Sequence, residues 1–308
     1  MDMMSAPVVQ AIHNIAMEIG ISLPHFRHLA STEAIRRIAQ YAEAIGLDSI
    51  WVTDHILLTD AQTKRFGTVF YEPIATLSYA AAITHKVRVG TTAIILPYRN
   101  PKVTAKQLST IDTLSGGRLI FGCAAGWSEE EFGALGVDFK NRGAVSDAYL
   151  RMIKRLWTEP RIDGLQFEPR PVQKPHPPIW VGGNSKRGIR RAVELGDYWH
   201  PTRPTAEEVK AGKSEIRNIA ERFGRNPAEI GITVREPFKI DERLPADQDK
   251  PFIGPRSHVM DSFHRFKELG VSHMVVDLFY SMTMLEHETL DSMIQAMDVL
   301  ARDIRPGL

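Results

Sequence analysis

Cysteine is nearly missing from this chain of 308 residues; Cys123 stands alone, in an apolar stretch. A lone thiol makes no intramolecular disulfide, so a reducing, cytoplasmic setting is expected. Neither sign of charge is in excess, with 38 basic against 37 acidic residues and a formal net charge of +1. That balance offers nothing to nucleic acid or to an anionic membrane surface. No uninterrupted apolar run approaches the roughly 20 residues of a membrane span. The GxGxxG and GxxxxGKS/T signatures of dinucleotide and P-loop sites are absent, and so is the GxSxG of a serine nucleophile. The eleven histidines show no HxH, HExxH or facial-triad spacing, which argues against a metal centre. A small-molecule partner is what these exclusions leave.

What is present is a repeated local pattern. Ile35–Ile45 runs into Gly46 and then Leu47–Val52. Ile189–Leu195 runs into Gly196 and Trp199, and Phe263–Leu269 into Gly270 and Val276. Each passage is an amphipathic helix, a glycine stop and a short apolar strand. The segment from Val87 to Trp127 extends the pattern. Val87, Val89 and Ile94–Leu96 read as one strand, and Asn100-Pro101 as a helix start. Ala105, Leu108, Ile111 and Leu114 form one apolar face, Ser115-Gly116-Gly117 a stop, and Leu119–Ala124 a second strand.

Strands are expected to begin near Glu18, Asp48, Val87, Arg118, Pro178, Asp197, Ile230 and His273. Eight is the number that closes a (β/α)8 barrel, an α/β fold, with a doubly wound open sheet as the alternative. Residues 1–16 lack the basic start and long apolar stretch of a signal peptide and read as an N-terminal extension. Residues 17–308 read as a single barrel domain. It carries a long insertion at about 128–177, with a helix from Val145 to Trp157, and an irregular charged loop at about 241–255.

In such a barrel the residues after each strand face the ligand site. They include His25, Asp54-His55, Tyr98-Arg99, Gly126-Trp127, Gly182-Gly183-Asn184-Ser185, His200, Arg235-Glu236 and Asp277. The Gly182–Ser185 loop opens a helix and suits a phosphate, although a bare Gly-Gly pair also serves as a plain tight turn. Asp54-His55 is the best acid–base candidate, although such a dipeptide by itself is more often a helix cap and a loop hydrogen bond. Cys123 sits mid-strand, where a thiol is inert.

Five motifs, taken together, point to a family. GISLP at 20–24, DSIWVTDH at 48–55, VGTTAIILPYRNP at 89–101, LSGGRLIFGCAAGW at 114–127 and PPIWVGGNS at 177–185 resemble the bacterial luciferase-like oxidoreductases, and most of all their branch that uses the deazaflavin coenzyme F420. The resemblance implies a β/α barrel with an insertion and hydride transfer between F420 and a small organic substrate. It implies that Asp54 contacts the ring and that His55 is a proton donor. Thr92-Ala93 would be a cis peptide backing the ring, with Gly126 and Gly182, Gly183, Asn184 and Ser185 around the phosphate. Trp127, counted with the cofactor site, stands where sugar-phosphate dehydrogenases of this branch carry a catalytic glutamate, which argues against glucose 6-phosphate.

The alternatives are an FMN-dependent monooxygenase and a non-catalytic flavin-binding barrel. Tyr98, Trp127, Trp199, His200, Arg235 and Phe279 are the candidates for a substrate pocket. The resemblance also implies a homodimer or higher homo-oligomer.

Overall fold

The computed structural model describes residues 16–278 and 288–308. Residues 1–15 of the expected extension, and Phe279, lie outside them.

The strands are β1 (Glu18–Ser22), β2 (Ser49–Val52), β3 (Arg88–Thr91), β4 (Ile94–Ile95), β5 (Leu119–Ala124), β6 (Ile179–Gly182), β7 (Tyr198–His200), β8 (Gly231–Pro237), β9 (Lys239–Ile240), β10 (Ile253–Gly254) and β11 (Val271–Asp277). The helices are α1 (Thr32–Ala44), α2 (Asp60–Phe66), α3 (Pro73–Ala82), α4 (Pro101–Leu114), α5 (Glu129–Ala134), α6 (Arg142–Thr158), α7 (Lys186–Leu195), α8 (Ala206–Phe223), α9 (Arg256–Glu268) and α10 (Leu290–Val299). Around the sheet the order is β3-β2-β1-β11-β8-β7-β6-β5-β4, and β3 also pairs with β5. All these pairs are parallel. This is the closed eight-stranded (β/α)8 barrel, with the third strand in two pieces.

Side-chain size explains how the barrel closes and fills. Trp51 and Trp180 pack in its lower half at 4.6 Å between ring centres. Gly20 and Gly90 leave the room, since a Cβ at either would lie 2.4 Å from the Trp51 indole. Ser49 Oγ accepts from Trp51 Nε1 at 2.6 Å and meets His273 Nε2 at 2.7 Å, whereas the buried Trp180 Nε1 has no partner among the described residues. A solid lower half leaves the carboxyl ends of the strands as the place for a ligand.

Local expectations and outcome differ in four places. The third strand breaks after Thr91, where a cis Thr92–Ala93 peptide precedes β4. On α4, Ala105, Leu108 and Ile111 are buried but Leu114 is 80% exposed. Each three-residue step falls short of a turn by about 60°, which carries the last residue off the face. The 241–255 stretch is not wholly irregular, because its Ile253–Gly254 pairs in parallel with β9. The long insertion holds two helices, α5 and α6, where the periodicity predicts one. No helix among the described residues is long and apolar enough to cross a membrane.

Candidate active site

A cavity of about 710 Å³ opens at the carboxyl ends of the barrel strands, within the size range of small-molecule and cofactor sites. Its lining includes His55, Thr92, Ala93, Gly126, Trp127 and the whole Gly182–Ser185 loop. Chain segments far apart in sequence thus meet at one place.

His55 leaves β2 beside α5, and its Nδ1 lies 2.8 Å from Glu131 Oε2. The other Glu131 oxygen accepts the amides of Ile56 at 2.6 Å and Leu57 at 3.1 Å. Burial pushes the Glu131 carboxyl up, but His55 and the two amides outweigh it and hold it below its ordinary value. A carboxylate facing Nδ1 fixes the proton there, which leaves Nε2 for the cavity. Glu131 escaped the sequence reading although a local signal existed. Ser128 and Glu131 have the S-x-x-E spacing of a capping box. Ser128 Oγ does accept the Glu131 amide, at 3.3 Å. The Glu131 carboxylate, however, turns toward His55.

Asp54 also lines the cavity, but its carboxylate is already bound. Arg99 binds both its oxygens, at 2.6 and 2.9 Å, and the Ile95 amide adds a third bond at 2.8 Å. Its side chain is fully enclosed, so only its backbone is available to a bound ring. The pair ties the β2 exit to the loop after β4.

Under the cavity lies a buried network. Arg235 donates to both oxygens of Asp277 at 3.0–3.1 Å and to the Thr92 carbonyl at 2.8 Å. Ser22 Oγ also bonds Asp277. His200 bridges Thr92 Oγ1 and Thr233 Oγ1, each at 2.8 Å. Burial drives His200 down to about 3, with the Arg235 charge adding to the effect. Burial likewise takes His25 to about 4. Its Nδ1 faces the Leu23 carbonyl at 2.8 Å and its Nε2 takes the Thr53 amide at 3.0 Å. Both rings are neutral structural pieces rather than proton carriers.

Their depressed values make stability depend on pH. Between pH 6.5 and about 4 the unfolded chain binds protons on these histidines that the native chain does not, so stability falls as pH falls. Each contributes about 1.4 kcal/mol per pH unit. Urea unfolding of His200→Gln between pH 6.3 and 5 should therefore show a slope shallower than wild type by about that amount. Glu236, raised by burial, works in the opposite sense in both proteins and cancels. Equal slopes would contradict the assignment.

The β6 side of the cavity is basic. Ser185 caps α7, its Oγ accepting the Gly188 amide at 3.3 Å. Asn184 is pinned to the Thr202 backbone by bonds of 2.9 and 3.0 Å. The start of α6 faces the same space through Gly143 and Ala144, and Asn141 gives it no side-chain cap. Arg191 links the two helix starts through Asp147 and, at 3.0 Å, the Gly143 carbonyl. Arg142 reaches the Gly126 carbonyl at 3.2 Å. In all, Arg65, Lys140, Arg142, Arg187, Arg191, Arg203 and Arg235 line the cavity against two acids, Asp54 and Asp277. Both acids are bound by arginine. Two converging helix N-termini with surplus cations suit an anion, so the residues present fit a phosphate-bearing cofactor.

Other pocket candidates sort cleanly. Arg235, His200 and Trp127 line the cavity, whereas Trp199 is buried with its Nε1 on the Gly183 carbonyl at 2.9 Å, and Tyr98 packs on Phe132. Among the described residues no group of three or more metal-ligating side chains is found.

Comparison with known proteins agrees with the barrel fold. Residues 17–273 match the family model described as luciferase-like monooxygenase. A curated relative is the FMNH2-dependent dimethylsulfone monooxygenase of Pseudomonas putida, 28% identical over 244 residues. That match takes in 74% of this chain and spans 65% of the relative's length. Among solved structures, monooxygenase RslO1 from Streptomyces bottropensis superposes with a TM-score of 0.77 at 19% identity, covering 94% of this chain and 99% of that one. The coenzyme F420-dependent tetrahydromethanopterin reductase from Methanopyrus kandleri gives 0.76 at 17% identity, covering 95% and 99%. From the matched family model and the barrel that carries it, the chain belongs to the luciferase-like monooxygenase family.

Proposed function

We propose that the protein is an oxidoreductase that moves hydride between coenzyme F420 and a small organic substrate. One observation carries this reading: a carboxylate-held imidazole, His55–Glu131, shares a cavity with a basic lobe built on two helix starts. When bound, F420 supplies a ring carbon that gives or takes hydride. Its phosphate and tail carboxylates would use more of the basic lobe, Lys140, Arg142 and Arg187 among it, than the one phosphate of FMN does. The backbone of Gly183–Ser185, the start of α6, and Arg187 would hold the phosphate. Thr92 and Ala93 would form the wall behind the ring, supported by Arg235 at the Thr92 carbonyl.

His55 would deliver or remove, through Nε2, the proton that matches the hydride at a substrate heteroatom, while Nδ1–H stays on Glu131. Trp127 and Phe66, packed near His55, would exclude water from that side once a ligand covers them.

A second reading, a monooxygenase using reduced FMN, is favoured by the Pseudomonas putida relative. Anaerobic titration of the protein with F420 and with FMN, followed by their absorbance, separates the two. F420 should bind about tenfold or more tightly than FMN, which is about 1.4 kcal/mol. The reverse order would assign the site to FMN, and binding of neither would leave a barrel without this chemistry.

A further inference from the structure

If the basic lobe takes the cofactor, as proposed above, the other end of the cavity is left for substrate. We propose that this end is built for an uncharged aromatic molecule carrying one carbonyl or hydroxyl oxygen. Its walls are rings: Phe66 lies 4.8 Å from His55, Trp127 lies 5.7 Å from His55 at 81°, and Phe66 and Trp127 are 6.4 Å apart. Phe26, 6.3 Å from Phe66, closes the back.

Exposure makes the same case. Trp51, Trp157, Trp180 and Trp199 are at most 2% exposed, whereas Trp127 is 55% exposed beside the cavity. Ile56 and Leu57, next to His55 at the β2 exit, are 40% and 48% exposed. Of these only Trp127 lines the cavity, and a large exposed ring on a cavity wall marks a place where an apolar ligand sits.

Charge is the other half of the argument. Among the described residues no acid of this lobe is available to a substrate cation, because Asp54 is enclosed by Arg99 and Glu131 is committed to His55 and two amides. Arg65 lies over the Phe66 face at 5.1 Å, at the exposed rim. A carboxylate entering this lobe would meet that one rim arginine and would lose its hydration among rings. With its proton on Nδ1, His55 accepts a hydroxyl at Nε2, and when the ring carries both protons Nε2 donates to a carbonyl, so it meets one oxygen in either form. Size, ring faces and a single polar point together select the ligand class.

The test uses four fluorinated probes followed by 19F NMR on the full chain, with and without cofactor. They are 4-fluoroacetophenone, 4-fluorobenzoate, 4-fluorobenzylamine and fluoroacetone. The aromatic ketone should bind about tenfold or more tightly than each of the others. Trp127→Ala and Phe66→Ala should each weaken it about two- to twelve-fold, the range for one aromatic contact. Trp127→Leu, which keeps apolar bulk without a ring, should fall between.

Equal or tighter binding of the benzoate or the benzylamine overturns the proposal, as does a Trp127→Ala protein that binds the ketone like wild type. Cofactor binding is read separately from its absorbance. Ketone selectivity without cofactor binding supports this lobe and counts against the cofactor reading. Cofactor binding without selectivity sinks this inference alone.

Discussion

Replacing His55 by alanine should slow turnover by about 10²- to 10⁴-fold, the usual worth of a positioned general acid or base. Cofactor affinity should stay within about twofold, because the basic lobe starts three strands away around the barrel. The companion variant is more diagnostic. Glu131→Gln keeps the size of the side chain but replaces a pure acceptor with a group that can also donate, so the imidazole proton is no longer fixed on Nδ1. Turnover should drop about 10- to 100-fold while His55 is still in place. The 15N shifts of the His55 ring should change from one tautomer to a mixture. A merely structural Glu131 would leave those shifts unchanged in a protein that folds. Loss of cofactor binding in His55→Ala would place the ring's role elsewhere.

The second large effect is on stability. Asp277 is 3% exposed and its charge is met by Arg235 and Ser22. Arg235→Met leaves a buried carboxylate without its cation, and such breaks cost roughly 3–5 kcal/mol. The same change strips the Thr92 carbonyl of its donor, an unsatisfied acceptor worth a further 1–3 kcal/mol or so. Arg235→Met combined with Asp277→Leu should be less destabilised than Arg235→Met alone, because the orphaned charge is gone. Urea unfolding of both single variants and of the double variant measures this. A double variant that loses the sum of both single losses would show that the pair is not coupled.

The sequence carried the architecture because its signals are local. Helix, glycine and strand follow one another within about 20 residues, as in Ile35–Val52, and the strand starts fall within about two residues of their expected places. The third strand was harder. Val89 and Ile94 read as one apolar run, and the cis Thr92–Ala93 peptide that breaks it was implied by the family resemblance rather than by the local pattern. Site residues came through as positions rather than as roles. Gly182–Ser185 was legible as a helix start, but the second helix start at Asn141–Ala144 lies over 40 residues away in sequence and needs the fold to bring it near.

Asp54 and His55 show the limit most plainly. Adjacent residues of a strand exit look equivalent in sequence, yet one carboxylate is spent on Arg99, and the imidazole beside it takes its partner from α5, 76 positions further on. Trp127, expected both with the cofactor site and among the substrate-pocket candidates, lines the cavity edge-on to His55.

The central claim is that one cavity holds a flavin-type cofactor between the Thr92–Ala93 wall and the Gly183–Ser185 loop, with His55 over its reactive part. A crystal structure of the protein with F420 bound tests it most directly. The account predicts the ring against Thr92 and Ala93, a phosphate within hydrogen-bond distance of the Gly183–Ser185 amides, and His55 Nε2 facing the ring's reactive carbon. A ring lying outside the barrel mouth, or a phosphate away from both helix starts, would contradict it.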